Sequence, residues 1–261
     1  MASLFKFPEE LSRAEFVRMI PKPARILEIG PYNNPALSKT DYANLKYMDV
    51  FTSEQISLDQ ARYTHTVEIP QEIDIIANPL NTPTFSTDLK FDFIFSAHNI
   101  EHHPDIIAHL NEIAKVAATP NTKYFLAVPD RRYCFDYYRT ESSFIEMIDA
   151  HDRLVKNPTL ESYLKHRLYA THNNIYAHWM AEHGEDPRAT AFDLGRVQKV
   201  LKEYKEQPDF ADIHSWVFTN DSFMRNINML NDLGLQPWRV DIVSKPQYMT
   251  PEFYTIMSLT K

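Results

Sequence analysis

Along the chain, short and almost wholly apolar runs alternate with stretches whose apolar positions recur at helical spacing. The first run, ARILEIG (24–30), stops at Gly30 and Pro31, as a strand buried on both faces should. NLKYMDV (44–50), which closes on Asp49, IDIIA (73–77), FDFIFSA (91–97) and KYFLAVP (123–129) repeat that form. Ahead of them, Pro8 to Ile20 places Leu11, Ala14, Val17 and Ile20 on one helical face. Between the fourth and fifth runs, Pro104 to Val116 carries Ile106, Ile107, Leu110, Ile113 and Ala114 at helical spacing. Such alternation predicts a doubly wound α/β protein with a mostly parallel sheet.

The pattern breaks after the fifth strand. Residues 131–215 are polar, aromatic and rich in His, with helical segments such as SFIEMIDAHDRLV and LGRVQKVLKEYKE. The stretch is too long for a loop. The sheet pattern then resumes as a helix over 221–234 and strands over 238–244 and 253–260, which predicts a seven-stranded sheet with a helical cap inserted after strand five. The expected organisation is an N-terminal helix (1–22), a core (23–130 and 216–261) and a cap (131–215).

Composition narrows the partners. The charge is 27 − 35 = −8, which argues against nonspecific nucleic-acid binding, although a local basic patch can still hold an anionic group. A single cysteine, Cys134, excludes an internal disulfide and suits a reducing cytoplasm. No signal-length apolar run opens the sequence and nothing approaches a membrane span, so a cytoplasmic protein is expected. Oligomeric state is not legible. Only four glycines occur, where average usage would give roughly 18, so a glycine-rich phosphate loop is excluded.

Gly30 is therefore informative. In a doubly wound sheet, ligands lie beyond the carboxyl ends of the strands, where glycine permits close backbone approach and a carboxylate can receive an amine. EIGPYNNP places Glu28, Gly30 and Pro31 at that end of the first strand, and Asp49 follows Glu28 by twenty-one residues, the distance at which an acid takes a ribose diol. With these two features the chain resembles the class I S-adenosylmethionine-dependent methyltransferases, whose first motif is acid-x-Gly and whose second is an acid ending strand two. The closing helix and strand pair match that fold. The resemblance covers about 22–130 and 216–261, and implies S-adenosylmethionine bound by Glu28, Gly30, Pro31, Asp49, Asn78 and Ser96. It departs from the family pattern at Tyr32 and Asn34, where glycines often stand, and in a first connection too short for a full helix. LEIGPYNNP, SAHNIEHHPD and AVPDRRYCFDYYR also resemble a group of bacterial methyltransferases associated with polysaccharide gene clusters.

The fourth strand runs into SAHNIEHHP. Read as H-x-x-E-H on a helix, His98, Glu101 and His102 would make a zinc peptidase, but Pro104 belongs at the start of the next helix, so the triplet is expected in a turn. The turn is similar to the E-x-x-E-H of small-RNA terminal-ribose methyltransferases and ubiquinone-pathway O-methyltransferases, with His98 in place of the usual Glu. That resemblance implies a divalent metal on His98, Glu101 and His102, completed by a downstream His: His214 or, alternatively, His151. Mn²⁺, Fe²⁺ or Zn²⁺ suits such ligands better than Mg²⁺. Metal-free pocket lining, with His98, His102, His214 or His151 acting as base, fits the same residues.

After strand five, Arg131, Arg132 and Arg139 stand among aromatics including Tyr133. They are candidates to grip an anionic group and stack a sugar; alternatively Arg131 and Arg132 form salt bridges to Asp130 and Asp136. His65, His109, His166 and His183 read as surface residues, and Cys134 as packing. The expected function is O-methylation of a sugar, glycan or sugar-phosphate acceptor. Alternatives are metal-independent N- or O-methylation of another small molecule, a cofactor-binding protein without catalysis, and the peptidase.

Overall fold

The structure, a computed structural model, describes residues 7–8, 10–63, 72–77, 87–190, 193–206 and 211–260. Helix α1 (Arg13–Arg18) is shorter than the amphipathic pattern because Ser12 caps it, its hydroxyl and the Glu15 carboxylate closing a capping box. Strands β1 (Ile26–Ile29), β2 (Leu45–Asp49), β3 (Ile75–Ile76), β4 (Phe93–Ala97) and β5 (Lys123–Pro129) fall inside the five apolar runs. Helix α2 (Ser53–Tyr63) follows β2, and α3 (Ile106–Ala114) joins β4 to β5. Asp105, not Pro104, starts α3, its carboxylate accepting from Ala108 N at 2.8 Å. Helix α9 (Asn220–Asp232) precedes β6 (Trp238–Val243) and β7 (Glu252–Leu259).

The strands form one sheet in the order β3-β2-β1-β4-β5-β7-β6. Neighbours from β3 through β5 are parallel, and β7 runs antiparallel to both β5 and β6. This is the mostly parallel, Rossmann-like sheet with a reversed final strand expected of the class I methyltransferase fold. Alternate side chains of each strand enter opposite layers. Leu27, Ile94, Leu126 and Val128 pack with Ile107 and Leu110 of α3 and Phe223 and Ile227 of α9. Ile26, Tyr47, Phe95 and Phe125 face the other way, onto Phe16 and Val17 of α1 and onto Leu37 and Tyr42. No helix joins β1 to β2; that connection covers the second layer itself, with Leu37 and Tyr42 buried in it.

The stretch between β5 and α9, expected as a cap, contains α4 (Phe144–Asp152), α5 (Leu160–Tyr169), α6 (Ile175–Trp179), α7 (Pro187–Thr190) and α8 (Leu194–Glu206). It has a small core of its own in Tyr163, Leu168, Val200 and Ile213. Helix α4 instead joins the main core through Met147 and Ala150.

The expectation of a surface His109 is overturned. Its ring is wholly buried in α3, stacked at 3.6 Å on His103, and neither ring nitrogen has a partner. Burial lowers its pKa from 6.5 to about 3. The unfolded chain therefore takes up a proton that the folded one refuses, so stability is complete above pH 6.5 and is lost as pH falls towards 3. His109→Phe is expected to flatten this acid limb, read as melting temperature against pH; an unchanged slope would assign the limb to other groups. His183 is likewise stacked on Tyr137 at 3.6 Å, and His166 packs edge-on to Phe135. His65 lies outside the described residues.

Candidate active site

At the carboxyl edge of β1, Gly30 adopts φ +63°, and a Cβ there would stand 2.4 Å from Asn99 Nδ2. The close approach that glycine permits is therefore made by Asn99, whose Oδ1 lies 2.9 Å from His103 Nε2. Asp49 ends β2, buried, and accepts from Tyr32 N at 3.0 Å and Phe51 N at 3.1 Å. Burial raises its pKa against those bonds. Glu28 uses both carboxylate oxygens on the backbone of Ala36 (2.7 Å) and Leu37 (3.1 Å). Burial lifts it to about 7 even so. It holds the β1–β2 connection. Pro31 is buried beside Gly30. Ser96 Oγ is buried against Tyr124 OH at 2.9 Å, a contact between β4 and β5. Asn78 lies outside the described residues.

Past β4 the chain turns sharply. His98 has φ +47°, and Ile100–His102 form a single 3₁₀ turn before Asp105. His98 and His102 thus do not share a helix face, which removes the peptidase reading. The Glu101 carbonyl accepts from Ser215 N (2.8 Å) and Trp216 N (3.1 Å), and the Trp216 indole N–H donates to the His103 carbonyl at 2.6 Å. These bonds pin residues 214–216, where the cap returns to the core, against the turn and bring in His214.

Glu101 is 0% exposed, and neither carboxylate oxygen has a hydrogen-bond partner. A buried carboxylate left in that state is strongly destabilising. His102 Nε2 and His214 Nε2 each lie 3.6 Å from its Oε1, and His98 Nδ1 lies 4.0 Å away. These separations are too long for hydrogen bonds. Ligands about 2.1 Å from one ion at a tetrahedral angle are about 3.4 Å apart, close to the first two values. One ligand atom from each of Glu101, His102 and His214 falls within 4.8 Å of the others, and His98 stands outside that trio.

The far side of each ring meets a carboxylate. His214 Nδ1 is 2.5 Å from Asp136 Oδ2, and His98 Nε2 is 2.8 Å from Glu252 Oε2. His102 Nδ1 is 2.7 Å from Asp212 Oδ1, off the line of the N–H, so this is an ion-pair contact and not an aligned hydrogen bond. Asp136 pairs with Arg139 at 2.7 Å, and Glu252 with Arg13 of α1. Burial would raise Asp136, but His214 and Arg139 hold it near 2. His98 and Arg13 hold the buried Glu252 near 2 in the same way. Four carboxylates (Glu101, Asp136, Asp212, Glu252) face two guanidiniums (Arg13, Arg139), which leaves a formal excess of 4 − 2 = 2 negative charges. A divalent cation would balance it.

Other expected site residues are placed elsewhere. His151, on α4, bonds Asp105 at 2.9 Å and does not join the cluster. The three arginines are committed inside the protein. Arg132 forks onto Asp130 (2.8 and 2.7 Å), and Arg131 Nε donates to the Arg139 carbonyl at 2.7 Å. Arg139 is buried against Asp136 and the His214 carbonyl. Arg132 thus pairs with Asp130 as the alternative held, whereas Asp136 is taken by Arg139 and Arg131 meets backbone carbonyls. Tyr133 stacks on Trp179 at 3.9 Å, and Tyr248, 68% exposed, packs edge-on to Trp179. A cavity of about 560 Å³ between α4, α5 and residues 215–217 is lined by Ser142, Ile145, Leu160, Trp216 and Arg139, and by none of the imidazoles or carboxylates of the cluster.

No family model and no curated protein matches the chain. Similar solved structures include the CcbJ methyltransferase of Streptomyces caelestis (TM-score 0.48, 10% identity, 95% of this chain and 88% of that one). Another is a Rhodobacter sphaeroides protein provisionally named as a zinc-dependent alcohol dehydrogenase (0.49, 12%, 95% and 89%). A third is the magnesium protoporphyrin IX methyltransferase of Synechocystis (0.41, 9%, 95% and 80%). Likeness at this level decides no activity, and the names differ. Among the described residues no helix is long and apolar enough to cross a membrane.

Proposed function

We propose that this chain is an S-adenosylmethionine-dependent methyltransferase that methylates a hydroxyl of a sugar-like or other small acceptor, with a divalent metal held by Glu101, His102 and His214. The observation that carries the reading is the unpartnered Glu101 carboxylate, ringed by imidazoles, in the turn after β4. It lies at the sheet edge where β1 ends in Gly30 and β2 in Asp49, the place where this architecture takes its ligand. Asp49 accepts from the ribose hydroxyls, Gly30 and Pro31 form the floor, and Glu28 acts by holding the β1–β2 connection. Residues 131–215 cover the acceptor. Tyr133, Trp179 and Tyr248 offer aromatic faces for a sugar ring, and the carboxylate partners of Arg132 and Arg139 favour an uncharged one.

Methyl transfer is an in-line displacement: the acceptor oxygen forms a bond to the methyl carbon as its bond to sulfur breaks, and the hydroxyl proton must leave. The chemistry a cation supplies on Glu101, His102 and His214 is acidification and orientation of that hydroxyl, and an imidazole–carboxylate set of this kind suits Mn²⁺, Fe²⁺ or Zn²⁺. His98, 32% exposed, takes the proton at Nδ1 while Glu252 on its Nε2 stabilises the imidazolium.

Calorimetry with S-adenosylmethionine, combined with elemental analysis, tests this. Asp49→Ala is expected to weaken cofactor binding by about 1.5–3 kcal/mol, the worth of hydrogen bonds to a charged group. Equal affinity in the variant would remove Asp49 from the site. Full activity after exhaustive chelation would leave His98 as a metal-free base, and cofactor binding without turnover would favour a non-catalytic protein.

A further inference from the structure

Beyond the part given to Glu252 at His98 in the proton transfer, the carboxylates behind the imidazoles have no assigned role, and their arrangement is systematic. Each ring presents one nitrogen to Glu101 and the other to an acid: His214 to Asp136, His98 to Glu252, His102 to Asp212. The first two acids are buried and clamped by Arg139 and Arg13. Asp212 is 72% exposed. We propose that Asp136 and Glu252 are positioning residues that fix the tautomers of His214 and His98, so that the unprotonated nitrogens face Glu101 before any cation arrives, and that Arg139 and Arg13 hold them in place. This rests on the metal reading only for its effect on affinity.

An ionised carboxylate accepts and cannot donate, so the ring nitrogen against it carries the hydrogen and the other keeps its lone pair. His214 must then be the Nδ1–H tautomer and His98 the Nε2–H tautomer. Without the clamps each acid could rotate, and the ring with it. A preset tautomer and ring direction are what outer carboxylates give a metal-binding histidine, and their loss typically weakens metal binding by about 10–100-fold. Among the described residues no arginine pairs with Asp212, which meets His102 off-line, so His102 is the ligand left free to adjust.

The test uses the metal-free full chain and Co²⁺ as probe. Two-bond ¹⁵N–¹H spectra at alkaline pH are expected to show Nδ1–H at His214 and Nε2–H at His98. The opposite tautomer at either ring overturns its half of the proposal, whether or not metal binds. In Co²⁺ titrations, Asp136→Ala is expected to weaken binding by about 10–100-fold, and Asp136→Asn, whose carbonyl still accepts from Nδ1–H, to recover most of it. Should the Ala variant not fold, because Arg139 loses its partner, Asp136→Asn and the spectra still decide. Unchanged affinity in a folded Ala variant overturns positioning. A wild-type chain that binds no Co²⁺ overturns the metal reading instead, and the tautomers remain to be read.

Discussion

Glu101→Gln is expected to give a protein that melts higher than the wild type when metal-free and has lost its activity. The wild-type carboxylate is wholly buried with no hydrogen bond to either oxygen, and two ring nitrogens point at it from 3.6 Å. Glutamine keeps the shape, removes the charge and supplies an N–H₂ group that can donate to those nitrogens. Relief of an unsatisfied buried group is worth about 1–3 kcal/mol, and more when it is charged. For a chain of this size each kcal/mol moves the melting temperature by about 2–4 °C. On the metal reading proposed above, the same change also removes the anionic ligand, and turnover is expected to fall with metal binding. Saturating metal should reverse the order of stability, since only the wild type gains from tight binding. Calorimetry of both proteins with and without metal measures this; a metal-free variant that melts lower would contradict the account of Glu101.

Gly30→Ala is the second large effect. At φ +63° an L side chain is strained by about 1–3 kcal/mol, and the added Cβ would meet Asn99 Nδ2 at 2.4 Å. Asn99 must then shift and give up its contact with His103, a further ~0.5–1.5 kcal/mol. A total of about 1.5–4.5 kcal/mol predicts a melting temperature lower by roughly 10 °C. His103 carries the carbonyl that Trp216 binds, so the change should also loosen the cap's return beside His214. Thermal melting and hydrogen exchange at residues 214–217 check the two halves. Full stability would show that the turn tolerates a side chain.

The sheet was legible because parallel strands are buried on both faces and declare themselves as apolar runs, and because Gly30 and Asp49 mark where two of them stop. The cluster was legible for a local reason: His98, Glu101 and His102 fall within one turn. His214 could be proposed, but nothing in the residues separated it from His151, because that choice depends on Glu101 bonding Ser215 and Trp216 across the fold. The arginines were harder. Charge and aromatic neighbours are visible in sequence, whereas the partners that Arg131, Arg132 and Arg139 meet within the chain are set by the fold. Glu252 left no signal, since an acid at the start of a strand looks like any solvated strand end. His109 sits on the buried face of an apolar helix, a position its spacing from Ile106 and Ile113 could have revealed.

The reversal of β7 has a consequence for how the site comes into being. Because that strand enters at the edge where its parallel neighbours finish, its first residue, Glu252, is the one delivered to His98, opposite Pro129. The partner that clamps it, Arg13, was synthesised 239 residues earlier. On the ribosome, a nascent chain can order its first strands and expose Glu101 with His98 and His102 well before Glu252 exists. Contacts of such sequence separation carry a large loop-closure cost. The cluster around Glu101 therefore cannot be complete until the sheet is all but finished.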